Sequence, residues 1–355
     1  MRASLCVTMR TLFWDDAAQA LKMIDQRRLP EKLEIVAFSD YDGVTQAIRD
    51  MTVRGAPAIG AAAAFGLALA ARASKARDAA GLLRDLEAAA ASLRAARPTA
   101  VNLAWALNRM MRVARAYTGA SRGLPDIILG EAQRIADEDV AANRRMAENG
   151  AGLIADGDTI IHHCNTGSLA TVDWGTALGV IRMAHEQGRR VHILVDETRP
   201  RLQGARLTAW ELEQYGIPYE IISDNMAGHF LQTGKVQKVF FGGDRVAANG
   251  DVANKIGSYM LALAAYDNRV PVYSVVPTST IDLTLAHGSM IPIEERDPQE
   301  VLDIQFRGER VVPRGARARN PAFDVTPARL ITALVTENGV VYPPYEFNLP
   351  KFVTP

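Results

Sequence analysis

The chain has 355 residues, of which 48% are hydrophobic and 23% are charged, an ordinary composition for a globular protein of about two domains. Its 40 basic and 40 acidic residues give a formal net charge of zero, whereas a general nucleic-acid-binding protein carries a basic excess that neutralises phosphates. We therefore expect no nucleic-acid partner, although an anionic small molecule needs only a few local donors.

Residues 1–126 are predicted to form a mainly helical N-terminal domain with a small β element. Two β-like segments, residues 11–14 and 33–38, come before the first helix. Pro57 lies where a later helix can begin, because the N–H that proline lacks has no helical partner in the first turn. Helices are predicted over residues 42–51, 61–79, 81–96 and 101–117.

The longest uncharged stretch, residues 55–71, consists mostly of alanine. Its 17 residues are at the short end of what a helix needs to cross a bilayer. A tightly packed buried helix therefore explains the stretch better, and we expect no membrane partner.

Residues 127–150 are predicted to be a connecting helix, and residues 151–355 a Rossmann-like catalytic domain. In this second domain short β-branched runs alternate with helical stretches, which is typical of a parallel sheet covered by helices on both faces. The predicted fold class is thus α/β. Strands are predicted over residues 159–163, 190–195, 219–222, 238–241 and 271–276, and helices over residues 169–187, 200–215, 226–233 and 252–266.

Each predicted strand is followed at once by polar or glycine residues. In an open parallel sheet such turns meet in the crevice beyond the carboxyl ends of the strands, where ligands bind. We therefore predict the functional site at this edge of the sheet. The turns are Cys164-Asn165-Thr166-Gly167, Asp196-Glu197-Thr198-Arg199, Ser223-Asp224-Asn225, Gly242-Gly243-Asp244-Arg245 and Thr278-Ser279-Thr280.

Two residues of these turns are candidates for chemistry, and the residue types alone leave both open. Cys164 is either inert packing, the usual state of a lone buried cysteine, or a reactive thiol beside N–H groups that bind anions. Asp244 is either a turn aspartate or a carboxylate that the preceding glycines bring close to a ligand. The consecutive His162 and His163 are expected to be structural, because neighbouring strand residues face opposite ways.

The string Arg54-Gly55-Ala56-Pro57 places a basic residue before a turn of small residues that opens a helix. At such a position the free N–H groups and the helix dipole reinforce an arginine in binding phosphate. A solvated arginine at a helix start is an equally good interpretation of the same residues.

No cofactor and no metal are predicted. Residues 150–155 formally match a dinucleotide fingerprint, but they follow a helix and precede a strand, which is the reverse of the required order. A Walker loop and metal-ligand spacings such as CxxC or HExxH are absent from the sequence. The two cysteines, Cys6 and Cys164, make a disulfide framework implausible, so the cytoplasm is the expected location.

Several long strings, in order along most of the chain, resemble methylthioribose-1-phosphate isomerases of the methionine salvage pathway. They are Val53-Arg54-Gly55-Ala56-Pro57, His163-Cys164-Asn165-Thr166-Gly167, Glu197-Thr198-Arg199-Pro200-Arg201-Leu202-Gln203-Gly204, Ser223-Asp224-Asn225-Met226-Ala227-Gly228, Gly243-Asp244-Arg245-Val246, Pro277-Thr278-Ser279-Thr280 and Asn320-Pro321-Ala322-Phe323-Asp324.

The resemblance implies a homodimer that acts without a cofactor on a sugar phosphate, converting the aldose 5-methylthioribose 1-phosphate to the ketose 5-methylthioribulose 1-phosphate. It implies that Cys164 and Asp244 are catalytic. We assign Asp244 the role of general acid, and Cys164 that of a proton relay or transition-state stabiliser. The substrate-binding positions that the resemblance implies are Arg54, Gly55, Ala56, Arg97, Gln203, Asn254 and Lys255.

Two other functions remain open at this point. A sibling isomerase would act on 5-deoxyribose 1-phosphate or ribose 1,5-bisphosphate. A regulatory or scaffold subunit of the translation initiation exchange factor would share the fold without catalysis, and the presence of both Cys164 and Asp244 argues against it. Gly243 stands where the isomerases usually have alanine.

Overall fold

The computed structural model of the protein describes residues 10–98 and 100–353. Its internal contacts divide the chain into two compact units. Unit 1 runs to residue 145 and includes residues 166–179, whereas unit 2 consists of residues 146–165 and the chain from residue 180 onward. The segment 166–179, which the sequence analysis placed in the second domain, thus groups with unit 1.

Unit 1 begins with a three-stranded antiparallel sheet in the order β1-β2-β3. Strands β1 (Leu12–Asp15) and β3 (Ile35–Phe38) lie within the predicted β-like segments, and β2 (Ala20–Ile24) was not predicted. Five helices follow along the chain, α1 (Tyr41–Arg49), α2 (Ala56–Ala73), α3 (Ala79–Ala96), α4 (Val101–Ala116) and α5 (Leu124–Ala151).

Helix α2 is the uncharged stretch of the sequence, and it lies in the core of unit 1. Pro57 is in its first turn and Gly55 precedes it, as the sequence predicted. The helix ends at Ala73 rather than at residue 79, because Asp78 caps the next helix by accepting the N–H of Gly81. Among the described residues α2 alone is long and apolar enough to cross a membrane, yet 78% of it is buried inside the protein.

Unit 2 is built on a seven-stranded sheet in the order β16-β15-β10-β7-β4-β5-β6. All neighbours are parallel except β15 and β16, which are antiparallel. The mainly parallel sheet and the helical N-terminal region confirm the predicted α/β fold class. The strands are β4 (Thr159–His162), β5 (His192–Asp196), β6 (Tyr219–Ile222), β7 (Lys238–Phe241), β10 (Val272–Val275), β15 (Ala333–Thr336) and β16 (Gly339–Val341).

Helices cover both faces of this sheet. Consecutive residues of β15 show the two sides: Leu334 belongs to the apolar cluster that includes Leu261, whereas Val335 lies against Gly150 and Val180. The helices are α6 (Ala177–Glu186), α7 (Ala209–Tyr215), α8 (Ala227–Gln232) and α9 (Ser258–Asp267).

Helix α6 is shorter than the predicted helix 169–187, and that prediction was wrong at its start. Residues 166–176 form a loop that folds back on itself, with the N–H of Thr176 donating to the carbonyl of Thr166. Trp174 and Gly175 adopt left-handed backbone conformations within it. The predicted helix 200–215 likewise divides into a π-helical turn, Gly204–Thr208, and α7.

A second, four-stranded sheet was missed by the sequence analysis. It has the order β11-β8-β9-β14, and the predicted helix 252–266 was wrong in its first part, which is strand β9. The signal was present, because Asn249-Gly250 between two apolar runs is a strong hairpin turn, and Gly250 has a φ of +87°. The strands are β8 (Arg245–Ala247), β9 (Val252–Lys255), β11 (Ile281–Asp282) and β14 (Phe323–Thr326).

The rest of unit 2 consists of short elements near the C-terminus. A two-stranded hairpin stands alone, and three single-turn helices complete the described chain. These elements are β12 (Gln305–Phe306), β13 (Glu309–Arg310), α10 (Gln299–Leu302), α11 (Tyr345–Asn348) and α12 (Pro350–Val353).

Candidate functional site

The strand order of the large sheet reverses at β4. From β4 the chain adds β5 and β6 on one side, and then β7, β10 and β15 on the other. In an open α/β sheet the connections diverge at such a reversal, and the crevice between them is where ligands bind. The crevice of this sheet therefore lies beyond the carboxyl ends of β4 and β7.

Both candidate catalytic residues lie at this crevice. Cys164 comes two residues after the end of β4, and Asp244 comes three residues after the end of β7. The two strands are hydrogen-bonded neighbours, with His162 opposite Phe240. The structure thus brings together, on adjacent strand ends, two residues separated by 80 positions in sequence.

Cys164 is held in a strained backbone conformation. Its φ is +66°, in the left-handed region that costs a non-glycine residue about 1–2 kcal/mol. Two threonine hydroxyls fix it: the Cys164 N–H donates to Thr198 Oγ1 at 2.9 Å, and Thr208 Oγ1 donates to the Cys164 carbonyl at 2.7 Å. The thiol is 6% exposed and forms no disulfide. Strain held by specific contacts is typical of functional positions and favours the reactive interpretation over inert packing.

Asp244 lies at the junction of the two sheets of unit 2. Its N–H donates to the carbonyl of Ala253, which ties it to β9 at 2.8 Å. The neighbouring Arg245 points to a different acid, Asp282, at 3.8 Å. A Cβ at Gly243 would lie 2.7 Å from Cγ1 of Val276, so the glycine lets the chain before Asp244 pass close to the sheet.

His163, which was expected from the sequence to be structural, lies directly after β4 and directly before Cys164. Its Nδ1 lies 2.8 Å from Oδ2 of Asp196, and its Nε2 donates to the carbonyl of Ile256 at 3.0 Å. Both side chains of the pair are buried. The strand-alternation argument failed here because β4 ends at His162, so His163 already belongs to the turn.

Electrostatics at this pair favour a charged imidazole. Burial alone would lower the pKa of His163, but the hydrogen bond with the Asp196 carboxylate raises it above its usual value. Burial raises the pKa of Asp196 to about 6 against the opposing effect of His163. By contrast, burial and the neighbouring His163 lower the pKa of His162 to about 3, so that His162 is neutral.

His163, Asp196 and Asp224 also form a cluster whose possible ligand atoms lie within 4.8 Å of one another. Each of these groups has hydrogen-bond partners in the protein. The two Asp224 oxygens accept the backbone N–H groups of Thr198 and Arg199 at 2.7 and 2.8 Å. The cluster therefore forms a hydrogen-bond network that fastens the turn after β5, although Oδ1 of Asp196 has no partner among the described residues.

Gln203 lies in the same turn, directly before the π-helical segment. Its side chain is 7% exposed, and within residues 10–98 and 100–353 its Oε1 has no hydrogen-bond partner. This oxygen therefore remains available to accept a hydrogen bond from a water or a ligand.

Asn254 and Lys255 are consecutive residues of β9, and both are buried. Asn254 donates to Ser258 Oγ at 2.8 Å. Lys255 Nζ donates to the Ala322 carbonyl at 2.7 Å and lies 4.5 Å from the centre of the Phe323 ring. Because neighbouring strand residues face opposite ways, a single ligand would meet one of these side chains and the main chain of the other.

The remaining predicted binding residues lie in unit 1, at the ends of two helices. Arg54, Gly55 and Ala56 form the start of α2, and Gly55 has a φ of +95°. A Cβ there would lie 2.2 Å from the carbonyl oxygen of Ala170, so only glycine fits. Arg97 follows the last residue of α3.

The chain is similar to known proteins over nearly its whole length. Residues 52–343 match the model of the Initiation factor 2 subunit family. The methylthioribose-1-phosphate isomerase of Pelotomaculum thermopropionicum is 55% identical over 334 residues, which cover 94% of this chain and 91% of the relative. The corresponding protein of a Synechococcus strain is 51% identical, over 95% of each chain.

Two solved structures are similar throughout. The 5-methylthioribose 1-phosphate isomerase of Pyrococcus horikoshii superposes with a TM-score of 0.89 at 47% identity, covering 97% of this chain and 95% of that one. A structure described as translation initiation factor eIF-2B, subunit delta, from A. fulgidus superposes with a TM-score of 0.86 at 44% identity, covering 97% and 99%.

Proposed function

The chain belongs to the Initiation factor 2 subunit family and, within it, to the methylthioribose-1-phosphate isomerases, and on that basis we propose that it converts 5-methylthioribose 1-phosphate to 5-methylthioribulose 1-phosphate in methionine salvage. The observation that carries the proposal is the position of Cys164 and Asp244 on adjacent strand ends at the reversal of the sheet order. A non-catalytic subunit has no need of a strained cysteine beside a carboxylate at that point.

The reaction sets a definite chemical task. The phosphate on C1 locks the sugar ring, so the bond between C1 and the ring oxygen must be broken inside the enzyme. In our proposal Asp244 gives its proton to the ring oxygen, which leaves as the C4 hydroxyl, and general acid catalysis of this kind contributes about 10²- to 10⁴-fold. The electron pair of the broken bond stays on that oxygen, and positive charge develops at C1.

Cys164 then serves the transfer of hydrogen from C2 to C1. In one route the thiolate removes the C2 proton and an enol forms. The thiol then returns that proton to C1, while the C2 hydroxyl gives its proton to the Asp244 carboxylate and becomes the ketone. In the other route a hydride moves directly from C2 to C1, the thiol stabilises the transition state, and the C2 hydroxyl likewise gives its proton to the Asp244 carboxylate. Running the reaction in D₂O distinguishes these routes, because only the proton route places deuterium on C1.

In our proposal the phosphate is bound by cationic side chains and by backbone N–H groups of the predicted binding residues. We propose Arg54, Arg97 and Lys255 as its charged partners. Gly55 and Ala56 contribute backbone N–H groups at the start of α2, where the helix dipole favours an anion. Gln203 and Asn254 complete the predicted set, and the orphaned Oε1 of Gln203 is suited to accept a sugar hydroxyl.

We further propose that the enzyme is a cytoplasmic homodimer that binds neither nucleic acid nor membranes. The zero formal net charge supports the first of these exclusions, and the burial of α2 inside the protein supports the second. Light scattering on the purified protein tests the oligomeric state, and a monomer mass would contradict the proposal.

A regulatory subunit is the second candidate, because one similar structure carries the description of a translation initiation factor subunit. The two candidates differ in one measurable respect. Only the isomerase turns over a sugar phosphate on its own.

Phosphorus NMR of the purified protein with 5-methylthioribose 1-phosphate, without added metal or nucleotide, tests the proposal. We expect the anomeric phosphate signal to be replaced by that of a primary ketose phosphate, and the Asp244→Asn variant to leave it unchanged. Parallel runs with 5-deoxyribose 1-phosphate and ribose 1,5-bisphosphate rank the sibling substrates. A folded protein that converts none of the three would overturn the isomerase proposal in favour of the regulatory one.

A further inference from the structure

One imidazole connects three segments of the candidate site. His163 is the chain neighbour of Cys164. Its Nδ1 meets Asp196, which opens the turn that carries Thr198 and Gln203, and its Nε2 meets the carbonyl of Ile256, which follows Lys255. The ends of β4, β5 and β9 are thus joined by two hydrogen bonds of a single side chain.

The chemistry of the partners fixes how the protons are arranged. A carbonyl only accepts, so Nε2 of His163 carries a hydrogen that it donates to Ile256. The second proton lies between Nδ1 and the Asp196 carboxyl. Because that carboxylate raises the pKa of His163, the pair favours an imidazolium facing a carboxylate, and in that form both hydrogen bonds are charge-assisted.

The ring has little room to move. A Cβ at Gly257 would lie 2.9 Å from Cε1 of His163 and 3.2 Å from its Nε2. The backbone of this turn therefore passes directly against the imidazole, and the left-handed φ of +104° at Gly257 makes that approach possible.

The side chain of Asp196 contacts the turn after β4 through His163, and its main chain makes a second connection to the same turn. Thr198 Oγ1 donates to the Asp196 carbonyl at 3.0 Å and accepts the N–H of Cys164 at 2.9 Å. The strained backbone of Cys164 is therefore enclosed between two contacts that both lead to Asp196, one through the Thr198 hydroxyl and one through the His163 ring.

We propose that His163 and Asp196 form a positioning pair, which holds Cys164 in its strained conformation and keeps it in register with the turns after β5 and β9. Neither residue is assigned a contact with the substrate. The effect on turnover rests on the proposed isomerase function, whereas the effect on the geometry of the Cys164 thiol does not.

Two single substitutions separate the two hydrogen bonds. His163→Asn retains a donor at about the place of Nδ1, and His163→Gln retains one at about the place of Nε2. His163→Ala removes both. Displacement of a reacting group by about 1 Å costs on the order of 100-fold in rate, so we expect kcat to fall roughly 10- to 100-fold in the alanine variant and less in the other two. KM should change little.

The second measurement needs no substrate. Cys164 is alkylated with iodoacetamide, and the labelled peptides are quantified by mass spectrometry with Cys6 as an internal reference. The labelling rate reports the exposure and reactivity of the Cys164 thiol. We expect the labelling rate to change at least about tenfold in the alanine variant and to return toward the wild-type rate with asparagine or glutamine. If the alanine variant does not fold, the asparagine and glutamine variants carry the test, because each still lacks one of the two hydrogen bonds and should change the labelling rate by a smaller but measurable factor.

A matched control lies at the opposite end of the same strands. Asp158 is buried and pairs with Lys238 at 2.5 Å, and the two residues flank the amino ends of β4 and β7. Asp158→Asn breaks a largely buried ion pair without touching the turn, so it should lower the melting temperature but leave Cys164 labelling unchanged.

The outcomes separate the two proposals. Unchanged kcat and unchanged Cys164 labelling in folded His163 variants would overturn the positioning proposal. An equal change of labelling in Asp158→Asn would also overturn it, because general destabilisation would then be the cause. An inactive wild-type protein in which His163 substitutions still alter labelling would overturn the isomerase and leave the positioning pair standing.

Discussion

Helix α2 and the carboxyl edge of the large sheet are both buried, but they bury different groups. From Ala58 to Ala71 the helix buries 14 successive residues, and every one of them is alanine, glycine or another apolar residue. At the sheet edge and in the neighbouring strand β9, the polar residues His163, Asp196 and Lys255 are buried to a similar degree. Each of these polar groups has a named hydrogen-bond partner.

The difference indicates what each region is selected for. Among these 14 residues of α2 no side chain can donate or accept a hydrogen bond, so the identity of each residue matters through its volume. At the sheet edge volume matters less than the placement of donors and acceptors, because a buried polar group without a partner costs about 1–3 kcal/mol.

The sharpest test replaces a single reactive atom in a side chain at the sheet edge and keeps the shape of that side chain. Cys164→Ser and Asp244→Asn are nearly isosteric, so they should leave the melting temperature close to that of the wild type. We expect each to lower kcat by at least about 10²- to 10⁴-fold, the range of a lost acid or base. Steady-state kinetics with 5-methylthioribose 1-phosphate measures the effect.

Suitable controls for these two variants lie elsewhere in the chain. Cys6→Ser removes the other cysteine, and Asp156→Asn breaks the exposed ion pair with Arg190. Both should retain wild-type turnover. Near-normal rates in Cys164→Ser or Asp244→Asn would remove that residue from the catalytic assignment.

Substitutions in α2 are expected to have the opposite effect: they should lower the stability of the protein and leave its turnover largely unchanged. A Cβ at Gly60 would lie 2.9 Å from the carbonyl oxygen of Asn102 in α4, so Gly60→Ala forces two helices apart. Overpacking of this kind costs about 1–3 kcal/mol. We expect the free energy of unfolding in urea to fall accordingly, while kcat per folded molecule changes far less than in the Cys164 and Asp244 variants.

Gly130→Ala in α5 is the matched control for this substitution. Its Cβ would meet only the end of the Arg134 side chain, at 3.9 Å. Alanine should therefore stabilise the protein by about 0.5–1 kcal/mol through its better helix propensity. Equal effects at the two glycines would show that helix propensity, rather than close packing, governs both positions.

The carboxyl group of Asp139 in unit 1 has only neutral hydrogen-bond partners. It therefore shows what burial does to an acid whose charge is not compensated. Asp139 is partly buried, and its Oδ2 accepts the N–H of Val172 at 2.7 Å and the amide of Asn143 at 3.0 Å. Burial raises its pKa to about 7, despite these two donors, and nearby Asp173 adds to the rise. Asp196 has instead an imidazole that compensates its charge.

A raised pKa means that the folded state binds the Asp139 proton more tightly than the unfolded state does. Its contribution to stability is therefore complete below about pH 4 and is lost as the pH rises to about 7. Asp139→Asn imitates the protonated form and lacks this titration. In urea unfolding, the wild type should lose about 1 kcal/mol or more relative to the variant between pH 5 and pH 8. A constant difference would contradict the raised pKa.

Much of the fold was predictable because its signals are local. Strands β6 and β7 have the predicted bounds, since each is a β-branched or aromatic run ended by polar residues. Pro57 marked the start of α2 in the same way. Strand β9 was misassigned because its four residues run into an alanine-rich stretch, which hid the Asn249-Gly250 turn.

The site was predictable in part. The turns after the strands were found from the sequence, since a parallel sheet places all of them at one edge. His163 was not, because its role depends on Asp196 and Ile256, which lie 33 and 93 residues away. No window of local sequence contains those partners.

Local sequence patterns predicted five strands of the large sheet, most helices, the glycine and proline at the start of α2 and the resemblance that names Cys164 and Asp244. Tertiary structure alone decided that β4 lies between β5 and β7, and this order places the two residues on neighbouring strand ends. It also decided the left-handed conformation of Cys164 and the pairing of His163 with Asp196. The physical reason is that local patterns fix backbone periodicity, whereas the order of strands and the partners of buried polar groups depend on contacts between distant parts of the chain.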